Sequence, residues 1–256
     1  MIATLAQSAP LPPLPRVLPL GDTALTIELG WARDRGTSAL VLAFDERIRD
    51  AMAGGRLPGV IECVPCFRSL TVHVDPLTTT PAEAAARLLP LVPREGVGHR
   101  PGRRWRLPAC YDGDCAPDLA DVAARTGLTP QDVIGLHTAR RYDVYMLGFL
   151  PGFGFLGDVE PVLNLPRRAE PRTRVPAGSV AIAIGLTAIY PYESPGGWHL
   201  IGRSPVLLFD LRRPEPALFA PGDTVGFAPV DRSAYELLAA EARAGRLGPD
   251  ALAEAP

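Results

Sequence analysis

The sequence predicts an α+β protein: a ferredoxin-like α/β domain followed by a small closed β-barrel. Three observations predict it. Up to Leu107, strand-like alternation is interleaved with two segments of helical spacing. From Tyr142 to Phe227, short β-type runs are separated by Gly and Pro corners. Between these regions lie two short segments with helix-capping residues. The 256 residues suffice for two units, each with its own core.

The Pro cluster at Pro10, Pro12, Pro13 and Pro15 reads as a loose extended arm over residues 1–19. Asp22 to Leu29 alternates, with Leu25, Ile27 and Leu29 on one face, which predicts a strand. Leu40, Phe44 and Ile48 fall at helical spacing. Val60–Val64 and Leu70–Val74 read as two strands joined by a Pro-containing turn. Thr80-Pro81-Ala82-Glu83 is a capping box with Pro at the first helical position, opening a helix to about Leu89. A polar connection, Gly96–Gly102, leads to a strand at Trp105–Leu107. The resulting β-α-β-β-α-β order is ferredoxin-like and assigns residues 20–108 to the first domain.

Asp118–Arg125, stopped by Gly127, and the Thr129-capped segment to Thr138 form a helical hairpin. With the strands from Tyr142 it makes a second domain over residues 109–245, closed by a helix at Ser233–Arg243 with Leu237 and Leu238 facing in. Residues 246–256 read as a frayed tail.

Composition excludes several chemistries. Net charge is −2, so electrostatics favours neither nucleic acid nor an anionic membrane. The chain has no Lys, hence no Walker-type phosphate-binding Lys, no Schiff base and no attachment point for biotin or lipoate. No apolar run is long enough to span a membrane, and residues 1–15 lack a signal-peptide pattern, so a cytoplasmic location is expected. Cys63-x-x-Cys66 is followed by a strand rather than a helix, and Cys110…Cys115 is too wide for the usual zinc spacing; reduced thiols are expected, with no metal site. The hairpin resembles a helix-turn-helix, but Asp118, Asp121 and Asp132 oppose phosphate contact. Packing against the barrel is the better reading.

Three further segments carry chemistry. Gly148–Gly157 alternates Phe149, Phe153 and Phe155 with Gly and Pro, as a core-lining loop or an apolar pocket wall does. Arg167, Arg168, Arg172 and Arg174, stiffened by Pro166 and Pro171, present guanidinium forks suited to anions. Ser194-Pro195-Gly196-Gly197-Trp198 can expose consecutive backbone amides as an anion nest. His199 follows Trp198 and, on a regular strand, faces the opposite way. No Ser-His-Asp, Cys-His or His-Glu-x-x-His arrangement is visible.

Gly148-Phe149-x-Pro151-Gly152-Phe153-x-Phe155-Leu156, Pro166-Arg167, Pro171-Arg172, Val175-Pro176-Ala177-Gly178-Ser179-Val180, Thr187-x-Ile189-Tyr190-Pro191 and Ser194–Trp198 with Ile201-Gly202-Arg203 together resemble the 5-oxoprolinase B-subunit family. That family includes the kinase inhibitor KipI and is related to the carboxyltransferase segments of urea carboxylase and allophanate-type proteins. The resemblance covers about Leu20 to Val230. It implies a cyclophilin-like barrel and a heteromeric enzyme. The B-type member pairs with a related C-type barrel protein and works with an A-type protein to open 5-oxoproline to glutamate with ATP. The ATP, with Mg, is held on this chain or on a partner, and no covalent cofactor is implied here. By resemblance, Arg172 and Arg203 are expected to position an anion, and the Ser194, Gly196 and Gly197 backbone to form the nest. Tyr190 and Ser179 are expected as polar contacts, and Phe153 and Trp198 as walls. Two other activities are compatible with the family: inhibition of a sensor histidine kinase, and a role in a biotin-dependent amide carboxyltransferase. The chain departs from the family pattern at Leu186 and Ala188, where Gln and Gly are usual, and at Ser204, where Thr is usual.

Overall fold

The computed structural model describes residues 11–93 and 101–254. The chain divides between His99 and Arg100 into two compact units. Gly96–Arg100 of the expected polar connection, residues 1–10 of the expected arm and the last two residues of the expected tail lie outside the described residues.

In the first unit, β1 (Arg16–Pro19), β2 (Ala24–Glu28), β3 (Val60–Pro65) and β4 (Ser69–Val74) form an antiparallel sheet in the order β1-β2-β4-β3. Helix α1 (Arg35–Ala53) connects β2 to β3, and α2 (Pro81–Leu88) follows β4. The α1 N-terminus is capped by Asp34, whose carboxylate accepts the Thr37 N–H at 2.8 Å. Thr80 and Glu83 make the reciprocal capping box that the sequence predicts for α2. Leu25 and Ile27 of β2, Leu70 and Val72 of β4, and Val41, Phe44 and Ile48 of α1 share one buried core. Their alternation and helical spacing are what place each element against it.

Two sequence expectations fail here. Arg16–Pro19, assigned to a loose arm, is an edge strand paired residue for residue with β2. The strand expected to complete the first unit, β5 (Arg104–Cys110), belongs to the second, where it runs parallel to β13 (Thr224–Val230). The first unit therefore follows β-β-α-β-β-α order rather than β-α-β-β-α-β. Side-chain alternation in β5 puts Trp105, Leu107 and Ala109 on one apolar face but does not say which core receives it. The fully buried Trp105 indole decides for the barrel, donating to the Asp223 carboxylate at 2.8 Å.

The second unit is a closed seven-stranded barrel. Its further strands are β6 (Arg141–Leu147), β7 (Gly154–Gly157), β9 (Ser179–Ala183), β10 (Leu186–Ile189) and β12 (His199–Arg203). The order is β12-β9-β10-β7-β6-β13-β5, and Arg203 opposite Cys110 closes the ring. Outside it, β8 (Arg172–Val175) and β11 (Ser194–Gly196) form a two-stranded ribbon. Helices α3 (Leu119–Thr126) and α4 (Pro130–Thr138) lie against β12 and β13 respectively, the packing expected of the hairpin. In α5 (Arg232–Arg243) the inward residues are Ala239 and Ala242. Leu237, expected inside, is 66% exposed. The expected frayed tail instead adds β14 (Ala253–Glu254) to β5 and buries Leu252.

A polar chain crosses the barrel interior. The Thr187 hydroxyl donates to the Ala181 carbonyl at 3.1 Å, so it accepts from His137 Nε2–H at 2.9 Å. His137 Nδ1 then accepts the Tyr111 hydroxyl at 2.9 Å. Complete burial pushes the His137 pKa down to about 3, and burial likewise raises that of Tyr111. The network is therefore neutral throughout.

Candidate functional site

A cavity of about 330 Å3 opens on the barrel unit. Three segments far apart in sequence build it: Phe149, Phe153 and Phe155; Arg167, Arg168 and Pro171; and Tyr190 with Pro195–Trp198.

The Phe segment turns between β6 and β7. Gly152 takes φ +80°, and a Cβ there would press on the Leu208 carbonyl and Phe209, so the corner requires glycine. The turn is closed by Gly148 N–H to Phe153 O at 3.1 Å and Phe153 N–H to Leu150 O at 3.0 Å. Phe153 becomes the hub of an edge-to-face cluster. Its ring centroid lies 5.3 Å from Phe149 and Tyr190, 4.9 Å from Phe155 and 6.1 Å from Trp198. Phe149, with φ +71°, is 62% exposed at the rim.

The β8–β11 ribbon forms the facing wall, with Ser194 opposite Val175 and Gly196 opposite Arg172 across a bulge. A Cβ at Gly196 would clash with the Tyr190 hydroxyl and ring, so this glycine admits Tyr190 to the cavity. The Tyr190 hydroxyl accepts the Trp198 N–H, while burial raises its pKa and keeps the phenol protonated. Arg168 N–H donates to the Gly197 carbonyl at 2.8 Å, tying the Arg segment to the same ribbon.

Asp118 fixes the electrostatics. It sits at the start of α3 but does not cap it. Its carboxylate accepts Arg172 Nη1 and Nη2 at 2.8 and 2.6 Å, Arg168 Nη1 at 3.1 Å and the Leu200 N–H at 2.7 Å. Burial works to raise its pKa. The Arg172 hydrogen bond, the Leu200 N–H and the charges of Arg172 and Arg168 outweigh that, and the net shift is downward. Arg167 lines the cavity from an exposed position and makes no ion pair or hydrogen bond among the described residues.

The expected site residues divide accordingly. Phe153, Tyr190, Gly196, Gly197 and Trp198 line the cavity. Arg172 does not; Asp118 holds its fork. Arg203 lies where the barrel closes and donates to the Asp114 carbonyl at 3.2 Å, away from the cavity lining. Ser179 is buried, with its hydroxyl on the Pro176 carbonyl at 2.7 Å. Ser194 pairs within the ribbon and its hydroxyl turns to the neighbouring Pro195 carbonyl, so the expected nest is reduced to the Gly196–Gly197 surface. His199 is buried but does not line the cavity; its Nε2 lies 3.0 Å from the Pro166 carbonyl. Leu186 and Ala188 are buried in β10 and do not line the cavity. Asp118 is the residue missed. Its partners lie 50 and 54 positions away, and its only signal is an acid at a helix start with no local cap to make.

All four cysteines are free thiols. Among the described residues, no cluster of three or more His, Cys, Asp or Glu is placed to hold a metal. No helix there is long and apolar enough to cross a membrane.

A closed barrel carrying an aromatic and guanidinium cavity, preceded by a four-stranded α+β unit, defines the class. The chain belongs to the carboxyltransferase domain, subdomain C and D, family, which matches residues 15–219. Within it, the chain is 37% identical to the Bacillus subtilis (strain 168) protein named as the B subunit of 5-oxoprolinase, over 230 residues covering 84% of this chain and 93% of that one. It is 40% identical to the Escherichia coli O157:H7 protein of the same name, over 82% of this chain and 94% of the relative. Among solved structures, TTHA0988 superposes with a TM-score of 0.71 at 39% identity, covering 82% of this chain and 40% of that longer chain. The Kluyveromyces lactis urea carboxylase, at 18% identity, shares the fold with a TM-score of 0.70 over 88% of this chain and 22% of that one.

Proposed function

We propose that this chain is the B subunit of a heteromeric, ATP-dependent 5-oxoprolinase. It acts in the cytoplasm with an A-type protein and a C-type barrel protein. The observation that carries the reading is the match, over more than nine-tenths of their length, to two bacterial proteins named as the B subunit of 5-oxoprolinase. The cavity is consistent with it: the family segments far apart in sequence converge on one aromatic and cationic pocket of the closed β-barrel.

A five-membered lactam is a poor electrophile, and phosphorylation of its amide oxygen by ATP turns that oxygen into a leaving group. Water then adds at the activated carbon, the ring C–N bond breaks to leave an acyl phosphate, and a second water releases phosphate and L-glutamate. In this scheme the chain supplies substrate orientation and exclusion of water, with Tyr190, Arg167 and the Gly196–Gly197 backbone around the lactam. ATP and its Mg are assigned to a site on, or shared with, a partner protein.

The test is co-expression with the two partner proteins and measurement of 5-oxoproline-dependent ATP hydrolysis and glutamate release. A complex that assembles but hydrolyses no ATP on addition of 5-oxoproline overturns the reading. The exposed Phe149 favours a second one, docking on a sensor histidine kinase. Recovery of a kinase and neither partner protein in a pull-down would establish that order instead. The biotin-dependent alternative rests on a weaker likeness, 27% identity to an Emericella nidulans protein named Putative urea carboxylase, of which this chain covers 14%.

A further inference from the structure

We infer that the cavity is a monocarboxylate site in which Arg167 takes the carboxylate and Tyr190 donates to a carbonyl oxygen of the same small ring. This rests on the 5-oxoprolinase reading and deepens it. The basis is a count of charges and donors. Asp118 engages both terminal nitrogens of Arg172 and one of Arg168, which commits Arg172 to the scaffold and leaves Arg168 partly engaged, its buried Nε without a partner and its side chain on the cavity lining. Arg167 lines the cavity beside Arg168 and, unlike it, has no acceptor at any guanidinium nitrogen among the described residues. An unpaired guanidinium beside an aromatic pocket matches one carboxylate, which it grips through two parallel N–H donors.

Tyr190 is 2% exposed and lines the same cavity. Its oxygen accepts the Trp198 N–H, and no protein acceptor among the described residues takes its proton. A buried O–H with an unused proton facing a cavity selects a ligand that brings an acceptor. Besides Arg168, Gly196 and Gly197, the rest of the lining is Phe149, Phe153, Phe155 and Trp198 with Pro171 and Pro195, an apolar wall that suits the methylene edge of a flat ring. A ring acid with a carbonyl satisfies all three features.

Asp118 is then a positioning residue. By holding Arg168, it fixes the backbone that presents Arg167.

The experiment uses the reconstituted complex. Arg167→Gln should raise KM for 5-oxoproline by roughly tenfold to hundredfold, the range for loss of a charged hydrogen bond, with KM for ATP unchanged. Inhibition by 2-pyrrolidinone, the same ring without the carboxylate, should be the same in wild type and Arg167→Gln. Arg167→Lys should recover part of the loss by keeping the charge. A KM for ATP that rises instead, an unchanged KM for 5-oxoproline, or an equal weakening of 2-pyrrolidinone overturns the assignment while leaving the 5-oxoprolinase reading intact. A wild-type complex without 5-oxoproline-dependent ATP hydrolysis overturns that reading, and the carboxylate assignment falls with it.

Discussion

Replacing Asp118 with Asn keeps the size of the side chain and one acceptor but removes the charge that gathers Arg168, Arg172 and the Leu200 N–H. The carboxylate is 5% exposed, and three of its four hydrogen bonds come from guanidinium nitrogens. Removing one partner of a fully buried ion pair costs about 3–5 kcal/mol. Here the Arg168 and Arg172 side chains are 30% and 26% exposed, so water takes over part of their solvation. The expected loss is therefore about 2–3 kcal/mol at neutral pH. For a unit of this size that lowers the barrel transition by about 4–12 °C in a thermal melt. The pH dependence has a defined sign. The folded-state pKa of Asp118 lies below the ordinary 3.8, so its stabilisation is complete above that value and drains away as pH falls through the folded-state pKa. The gap between wild type and Asp118→Asn should hold from about pH 7 to about pH 5 and shrink below pH 3.8. Melts followed by circular dichroism across this range measure it. A shift under about 1 °C at neutral pH, or a gap that stays constant into the acid range, refutes the argument.

Three other perturbations test the same geometry. Because His137 is buried neutral with its pKa lowered to about 3, wild-type stability should fall as pH drops below 6.5, by up to about 1.4 kcal/mol per pH unit. His137→Gln should lose that slope between about pH 6 and pH 4 in urea titrations, whatever its effect at pH 7. Gly196→Ala drives a methyl into the Tyr190 hydroxyl and should destabilise the unit by about 1–3 kcal/mol, while Gly197→Ala, whose Cβ meets Pro171 at an ordinary 3.6 Å, should be tolerated in the same melts. Phe153→Ala removes the hub of the aromatic cluster and should cost about 3–5 kcal/mol, with near-ultraviolet circular dichroism reporting the loss of ordered ring packing.

Local pattern carried most elements, because alternation, helical spacing and capping act within a few residues. Thr80–Glu83 and Thr129–Asp132 form the capping boxes that their residue types demand. The Gly and Pro corners after Tyr142 do turn short strands, and Phe153, Gly196 and Trp198 do share a cavity. What local pattern leaves open is the destination of a strand. Trp105–Cys110 alternates equally well for either sheet, and only the partner Asp223 and the register with β13 decide it. Leu252 is likewise anchored by a core that its own neighbours do not announce.

The sequence by itself determined most element types between Ala24 and Arg243, the two-unit character, the absence of Lys chemistry and the segments from which the cavity is built. Tertiary structure alone decided which arginines are spoken for. Arg167, Arg168 and Arg172 look interchangeable along the chain, and a distant carboxylate separates them by holding Arg172 through both terminal nitrogens, Arg168 through one and Arg167 through none. The physical reason is that a buried charge must find a counter-charge wherever the fold brings one, and that distance in space is not written in distance along the chain.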